Sequence, residues 1–216
     1  MVGASSMEWS LFFYPGPTET DVASAAKKWA QDIIDVYQSK KTVGTRDFAE
    51  LYPLKEYAEV TAMLQYANPE FSANDAAILD IRFGDTMFLC ASLFTSSAIA
   101  AQKSRKAYLY LFEHWPSIPG VLGLMGPTHA SEIPYVFGNF DEYAQLAEEE
   151  AWTPTAFEKQ LSQTMMDYWL NFGRYLNPDN PSSKATWPVA GRGEKNDFMV
   201  FGADGAGRWV GEWVNG

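Results

Sequence analysis

The sequence predicts an α/β fold whose sheet is completed by residues outside the chain. Long segments carry apolar residues at helical spacing, the mark of helices packed on a core. Strand-like runs are few and widely spaced. Two or three strands cannot cover the faces of this many helices, so the sheet should continue in another chain or in residues not present here.

The elements follow in order. Met1 to Glu8 reads as the tail of a buried strand running into a loop. Pro15-Gly16-Pro17 is a strong turn. Thr18 and Asp21 open an amphipathic helix whose stripe is Val22, Ala25, Trp29, Ile33 and Val36. Ser39 to Thr45 is a polar loop, and Phe48 to Ala67 a helical zone broken at Pro53. Ser72 to Leu79 forms a short helix, Gly84 breaks the chain, and Asp85 caps a further helix through Phe88 to Ile99. Ala107 to Phe112 is a continuous apolar and aromatic run, a buried strand of a parallel or mixed sheet. Pro116 to Pro127 is irregular, and Glu142 to Ala151 is an acidic helical stretch facing solvent. Thr155 to Leu176 is a long helix turning Leu161, Met165, Tyr168, Trp169 and Phe172 inward, stopped by Asn177-Pro178. Phe198 to Phe201 and Trp209 to Val214 flank a Gly-rich turn and form a hairpin.

Composition narrows the function. With 47% hydrophobic and 20% charged residues the chain is globular rather than disordered. A net charge of -11 repels anionic nucleic acid and lipid, so neither is an expected partner. No apolar run approaches the roughly 20 residues that span a bilayer. Cys90 is the only cysteine, which excludes an intrachain disulfide and a cysteine-based metal site. His114 and His129 are too few for a His-rich metal centre. The compartment stays open.

Gly126 to Gly138 places His129 in a Gly/Pro loop soon after the buried strand, where an imidazole can reach a cleft at the carboxyl end of a sheet. The stretch resembles the histidine motif of type-B carboxylesterases, the cholinesterase-like family, G-x-x-H-G-x-E followed by Tyr/Phe-Val-Phe-Gly. His129, Glu132, Val136, Phe137 and Gly138 match, and Ala130 stands where the family usually has Gly. Three more stretches agree in order. Gly3 to Phe12 is similar to the family's G-x-N-x-D-E-G-x-x-F loop, with Glu8 at the acid position and Met7 and Trp9 departing from the usual Asp and Gly. Asp85, Phe88 and Cys90 resemble D-x-x-F-x-C-P. Tyr168 to Phe172 resembles Y-W-x-N-F, with Trp187-Pro188 beyond it.

The resemblance implies the C-terminal portion of an α/β-hydrolase fold over residues 1–216. It implies Glu8 as the acid and His129 as the base of a Ser-acid-His triad, in the chain order Ser, acid, His. Leu11 and Phe12 would line an apolar substrate pocket. No cofactor and no metal are implied. The nucleophile elbow G-x-S-x-G and the Gly-Gly oxyanion loop do not occur in the chain. The expected partner is therefore an N-terminal esterase fragment or subunit carrying the nucleophilic serine, and the expected substrate a small-molecule ester. Ser131, two residues from His129, is too close along the loop to serve as a substitute nucleophile. His114 reads as structural or surface, Glu132 as a support bonding loop amides under the histidine, and Cys90 as a buried free thiol. The rival reading is a truncated, catalytically silent α/β-hydrolase-like binding module, which would have no physical need to keep an acid–histidine pair.

Overall fold

The computed structural model describes residues 1–8, 20–39, 42–43, 46–47, 55, 58, 62, 72–102, 104–119, 123, 125–142, 152–179, 185–190, 198–202 and 208–209. The turn at Pro15-Gly16-Pro17 and the substrate-pocket residues Leu11 and Phe12 lie outside these residues, as does nearly all of the Phe48 to Ala67 zone. So does the acidic stretch beyond Glu142.

Four strands make one sheet in the order β1 (Val2–Ser5), β4 (Leu109–Phe112), β5 (Met199–Phe201), β6 (Arg208–Trp209). β1, β4 and β5 run parallel, with Val2 beside Leu109 and Tyr110 beside Met199, and β6 returns antiparallel from β5; of the expected hairpin strand Trp209 to Val214, the residues after Trp209 lie outside those described. The apolar run at Ala107 is thus an interior strand, paired on both sides. Among the described residues the sheet ends at β1 on one side and at β6 on the other. A two-residue ladder, β2 (Thr42–Val43) with β3 (Arg46–Asp47), occupies part of what the polar composition suggested was loop.

Side-chain alternation gives β4 two different faces. Tyr108 and Phe112 point to one side, where Leu161, Met165 and Tyr168 of α5 (Ala156–Tyr175) meet Trp187, Phe201 and Trp152. Leu109 and Leu111 point to the other, against Ala4, Val200, Leu89 and the partly buried Leu93 of α3 (Cys90–Ala100). Helices on both faces of a mainly parallel sheet define the α/β class. No described helix is long and apolar enough to cross a membrane.

The helices depart from expectation in three places. Among the side chains of α1 (Thr20–Ser39) that are described, Ala30, Ile33 and Ile34 are buried and Val36 is half exposed, while those of Val22, Ala25 and Trp29 lie outside the description. Val36 sits well around the helix from Ile34, so the stripe turns away from it. Ser72 caps α2 (Ala73–Ala77) through a reciprocal capping box with Asp75. Gly84 then does not break the chain: its φ of -57° is ordinary right-handed helix, and Asp85 stands inside the helix after it rather than at the cap. Two π-helical turns, Ile78–Arg82 and Asp85–Leu89, carry the helix through to α3. Cys90, expected to be buried, opens α3 on its exposed side, next to the buried Leu89. Burial of the sulfur is nonetheless enough, with Asp85 nearby, to push its thiol up from the ordinary value.

Candidate active site

Glu8 and His129 lie beyond the carboxyl ends of adjacent parallel strands, β1 and β4, where α/β sheets place their clefts. The chain leaves β1 with the Ser6 N–H donating to the Phe112 carbonyl at 3.0 Å, and the Met7 N–H donating to the Pro127 carbonyl at 3.1 Å. Met7 and Thr128 form a parallel bridge. The sheet thus extends by one rung into the two loops and sets the acid beside the histidine.

His129 Nδ1 and Glu8 Oε2 are 2.7 Å apart, although 121 residues separate them in the chain. The other oxygen, Oε1, accepts the Ser5 N–H at 2.6 Å. The Glu8 side chain is 8% exposed and that of His129 41%. The acid is therefore sealed in, while the imidazole is open to solvent. Burial pushes the Glu8 carboxyl above its ordinary value; the Ser5 N–H and the His129 bond pull the other way without cancelling it.

Three positions of the loop that carries His129 have left-handed backbone: Gly126 (φ 68°), Ala130 (φ 66°) and Gly138 (φ 70°). At Gly126 a Cβ would meet the Met7 sulfur at 2.9 Å. Gly138 ends α4 (Ile133–Phe137), its N–H donating to the Pro134 carbonyl at 2.8 Å. Ala130 is the residue that replaces the family's usual glycine, and it holds the glycine-type conformation at a cost of about 1–2 kcal/mol. Ala130→Gly should therefore raise stability, by up to about 1 kcal/mol after the added freedom of the unfolded chain is deducted. Thermal melts should show a rise of roughly 2–4 °C per kcal/mol for a chain of this size. A lower melting temperature would show that the methyl packs well enough to outweigh the strained backbone.

The other candidates fall as follows. Glu132 does not bond loop amides through its side chain. Its Oε1 accepts the Tyr110 hydroxyl at 3.3 Å, and its buried Oε2 has no hydrogen-bond partner among the described residues. Ser131 is buried, its hydroxyl likewise unpartnered there. Beside Glu132 a cleft of about 410 Å³ opens between α4 and α5, lined by Val136, Phe137, Met166, Trp169 and Leu170. Leu11 and Phe12 cannot be placed against it, being outside the described residues.

Sequence reasoning missed Glu158. This carboxylate is 1% exposed in the first turn of α5. Its Oε1 accepts the Ser117 N–H at 2.7 Å and the Tyr135 hydroxyl at 2.9 Å, and lies 3.3 Å from His114 Nε2. Its Oε2 accepts the Ser117 hydroxyl, the Thr155 N–H at 2.7 Å and the Thr155 hydroxyl at 3.0 Å. Burial alone would push the Glu158 carboxyl up, but the bonds from His114, Ser117 and Thr155 hold it far below its ordinary value. Glu158 ties together the segment after β4, helix α4 and helix α5, the three elements that frame the His129 loop. The signal that could have revealed it is Thr155-x-x-Glu158, a capping-box pattern. His114 is structural, buried against this carboxylate.

Known proteins resemble the chain in sequence and fold. Acetylcholinesterase of Bungarus fasciatus is 34% identical over 144 residues, which cover 62% of this chain and 22% of that protein. Acylcarnitine hydrolase of Mus musculus is 35% identical over 131 residues, 56% of this chain and 21% of that protein. The chain thus spans about a fifth of the length of these relatives. An esterase of the anaerobe Clostridium hathewayi, described as hydrolysing aliphatic aromatic polyesters, superposes with a TM-score of 0.50 at 19% identity. The match covers 98% of this chain and 34% of that one, and supports the α/β-hydrolase fold. A family profile described as the carboxylesterase family matches residues 1–207, so the chain belongs to the carboxylesterase family and carries part of its α/β-hydrolase fold.

Proposed function

We propose that residues 1–216 are the C-terminal part of a serine carboxylesterase domain, carrying the acid and the histidine of a triad whose serine and oxyanion hole lie outside this chain. The observation that carries this reading is the 2.7 Å contact of Glu8 with His129 Nδ1 at the carboxyl ends of neighbouring strands. With Nδ1 held by the carboxylate, Nε2 is the nitrogen that takes the serine proton as the hydroxyl attacks the ester carbonyl. The same proton then passes to the leaving alkoxide, and the acyl group remains on serine. Water repeats the cycle, giving up its proton to Nε2 and releasing the acid. Glu8 orients the ring and stabilises the imidazolium in both halves. The substrate is a small ester with apolar groups, met in part by Leu11 and Phe12.

The partner is an N-terminal fragment or subunit that continues the sheet from β1. Val2 and Ser6 direct their N–H groups at β4, so by alternation the backbone of Gly3 and Ser5 faces the other edge, where the Ser92 hydroxyl donates to the Gly3 carbonyl at 3.1 Å, Glu8 takes the Ser5 N–H, and no second strand pairs with β1 among the described residues. Gly3 lies against the Tyr110 ring, and Tyr110 lines the apolar cleft beside Glu132. A strand edge without a second strand favours a covering chain.

Fluorophosphonate labelling tests the reading. The chain with its N-terminal part should take up one label, on a serine outside this chain, and this chain alone should take up none. Stoichiometric label on a serine of this chain would overturn the division of roles. No label on either part, with the two parts associated and folded, would favour the silent binding module.

A further inference from the structure

We infer that Phe88 is a positioning residue that sets the plane of the His129 imidazole. The inference rests on the reading of His129 as the general base. The two ring centroids are 5.1 Å apart and the planes meet at 47°, a contact distance at which aromatic rings attract. A hydrogen bond at Nδ1 aims that nitrogen at Glu8, but one such bond does not by itself fix the plane of the ring. A ring packed beside the imidazole does, and Nε2 then points in one direction rather than sweeping an arc.

Phe88 is well placed to act as a fixed surface. It is partly buried and packs against two separate core clusters, one built on Ala4, Leu89 and Leu109 and the other on Ile34, Ile78 and Leu79. It stands within the π-helical turn Asp85–Leu89, where the Cys90 N–H reaches back five residues to the Asp85 carbonyl. A π-turn inserts one extra residue into a helix and so changes which side chains face a given direction, a device found often at functional sites. Here Leu89 turns into the core while its neighbour Phe88 meets the histidine loop.

The test has two arms. In the first, this chain, isotope-labelled and assembled with its unlabelled N-terminal part, is studied by NMR as Phe88→Leu and Phe88→Tyr. With only two histidines, the ring protons of His129 are readily told from those of His114. The ring-current shift of the His129 protons should disappear in Phe88→Leu and persist in Phe88→Tyr, with His114 unmoved. In the second, the chain assembled with its N-terminal part is assayed on an activated ester. Phe88→Leu should lower kcat by roughly ten- to a hundredfold while KM stays within about twofold, because geometry rather than substrate binding is lost. Phe88→Tyr should restore most of kcat.

If Phe88→Leu does not fold, Phe88→Tyr decides: a fully shifted His129 resonance with normal kcat supports the inference, and a lost shift with normal kcat overturns it. Wild-type kcat in a folded Phe88→Leu also overturns it. Failure of the underlying reading looks different: His129→Ala would then keep its activity whatever Phe88 does.

Discussion

His129→Ala in the assembled esterase should lose nearly all hydrolysis of an activated ester, up to about 10⁶ in turnover. In the proposed mechanism the imidazole is base in one half of each transfer and acid in the other, so both acylation and deacylation stall without it. Glu8→Gln should cost less, on the order of 10⁴, because the ring remains but its tautomer and charge lose their support. The two variants should also differ in stability. The folded-state value of Glu8 is raised, so its contribution is fully present below the unfolded value of about 4.3 and is lost as pH rises through the folded value. At neutral pH the buried charge is thus a cost, and Glu8→Gln should melt no lower than wild type there. Steady-state assays paired with thermal melts check both statements. Retained turnover in His129→Ala, or a Glu8→Gln variant that loses activity only because it unfolds, would remove the triad reading.

Glu158→Gln should destabilise the chain by about 3–5 kcal/mol, the cost of breaking a buried charged network on one side. An amide in its place turns an N–H group toward donors from Ser117, Thr155 and Tyr135 that had faced an oxygen. Such a loss is a large share of the 5–15 kcal/mol that ordinarily separates folded from unfolded chains. The pH sign is opposite to that of Glu8. The folded value of Glu158 is depressed, so its contribution is present above the unfolded value of about 4.3 and is lost as pH falls toward the folded value. Wild type should weaken with acid below that point, and Glu158→Gln should show a flatter acid limb. Chemical denaturation between neutral and acid pH measures both. Equal midpoints for the two proteins at neutral pH would mean that the network contributes no net stability.

The errors of sequence reading have physical causes. Gly84 looked like a breaker because glycine lowers helix propensity, yet it adopts ordinary helical angles, and the π-turns around it have no local signature. Val36 was placed inward on spacing alone, whereas the side of α1 that is buried depends on where Ile78 and Leu79 pack. Cys90 was placed inside on residue type, while its place at the start of α3 turns it outward. Glu158 was passed over because a capping-box glutamate usually faces water, and its partners come from His114, Ser117 and Tyr135, some 23 to 44 residues away.

The sequence by itself determined the class and the central pair. Strand Ala107 to Phe112, the long helix from Thr155 and the final hairpin follow from apolar runs, periodicity and turn residues, which are local properties of the chain. Glu8 and His129 followed from four motifs in register, and their spatial pairing needs only that two adjacent strands end at the same level. The tertiary structure alone decided the rest. The left-handed backbone at Ala130, the Phe88 ring against His129 and the donors around Glu158 arise where segments distant in sequence close on one another. Local sequence does not encode such contacts, because their energies appear only once the sheet and both helix layers have brought the segments together.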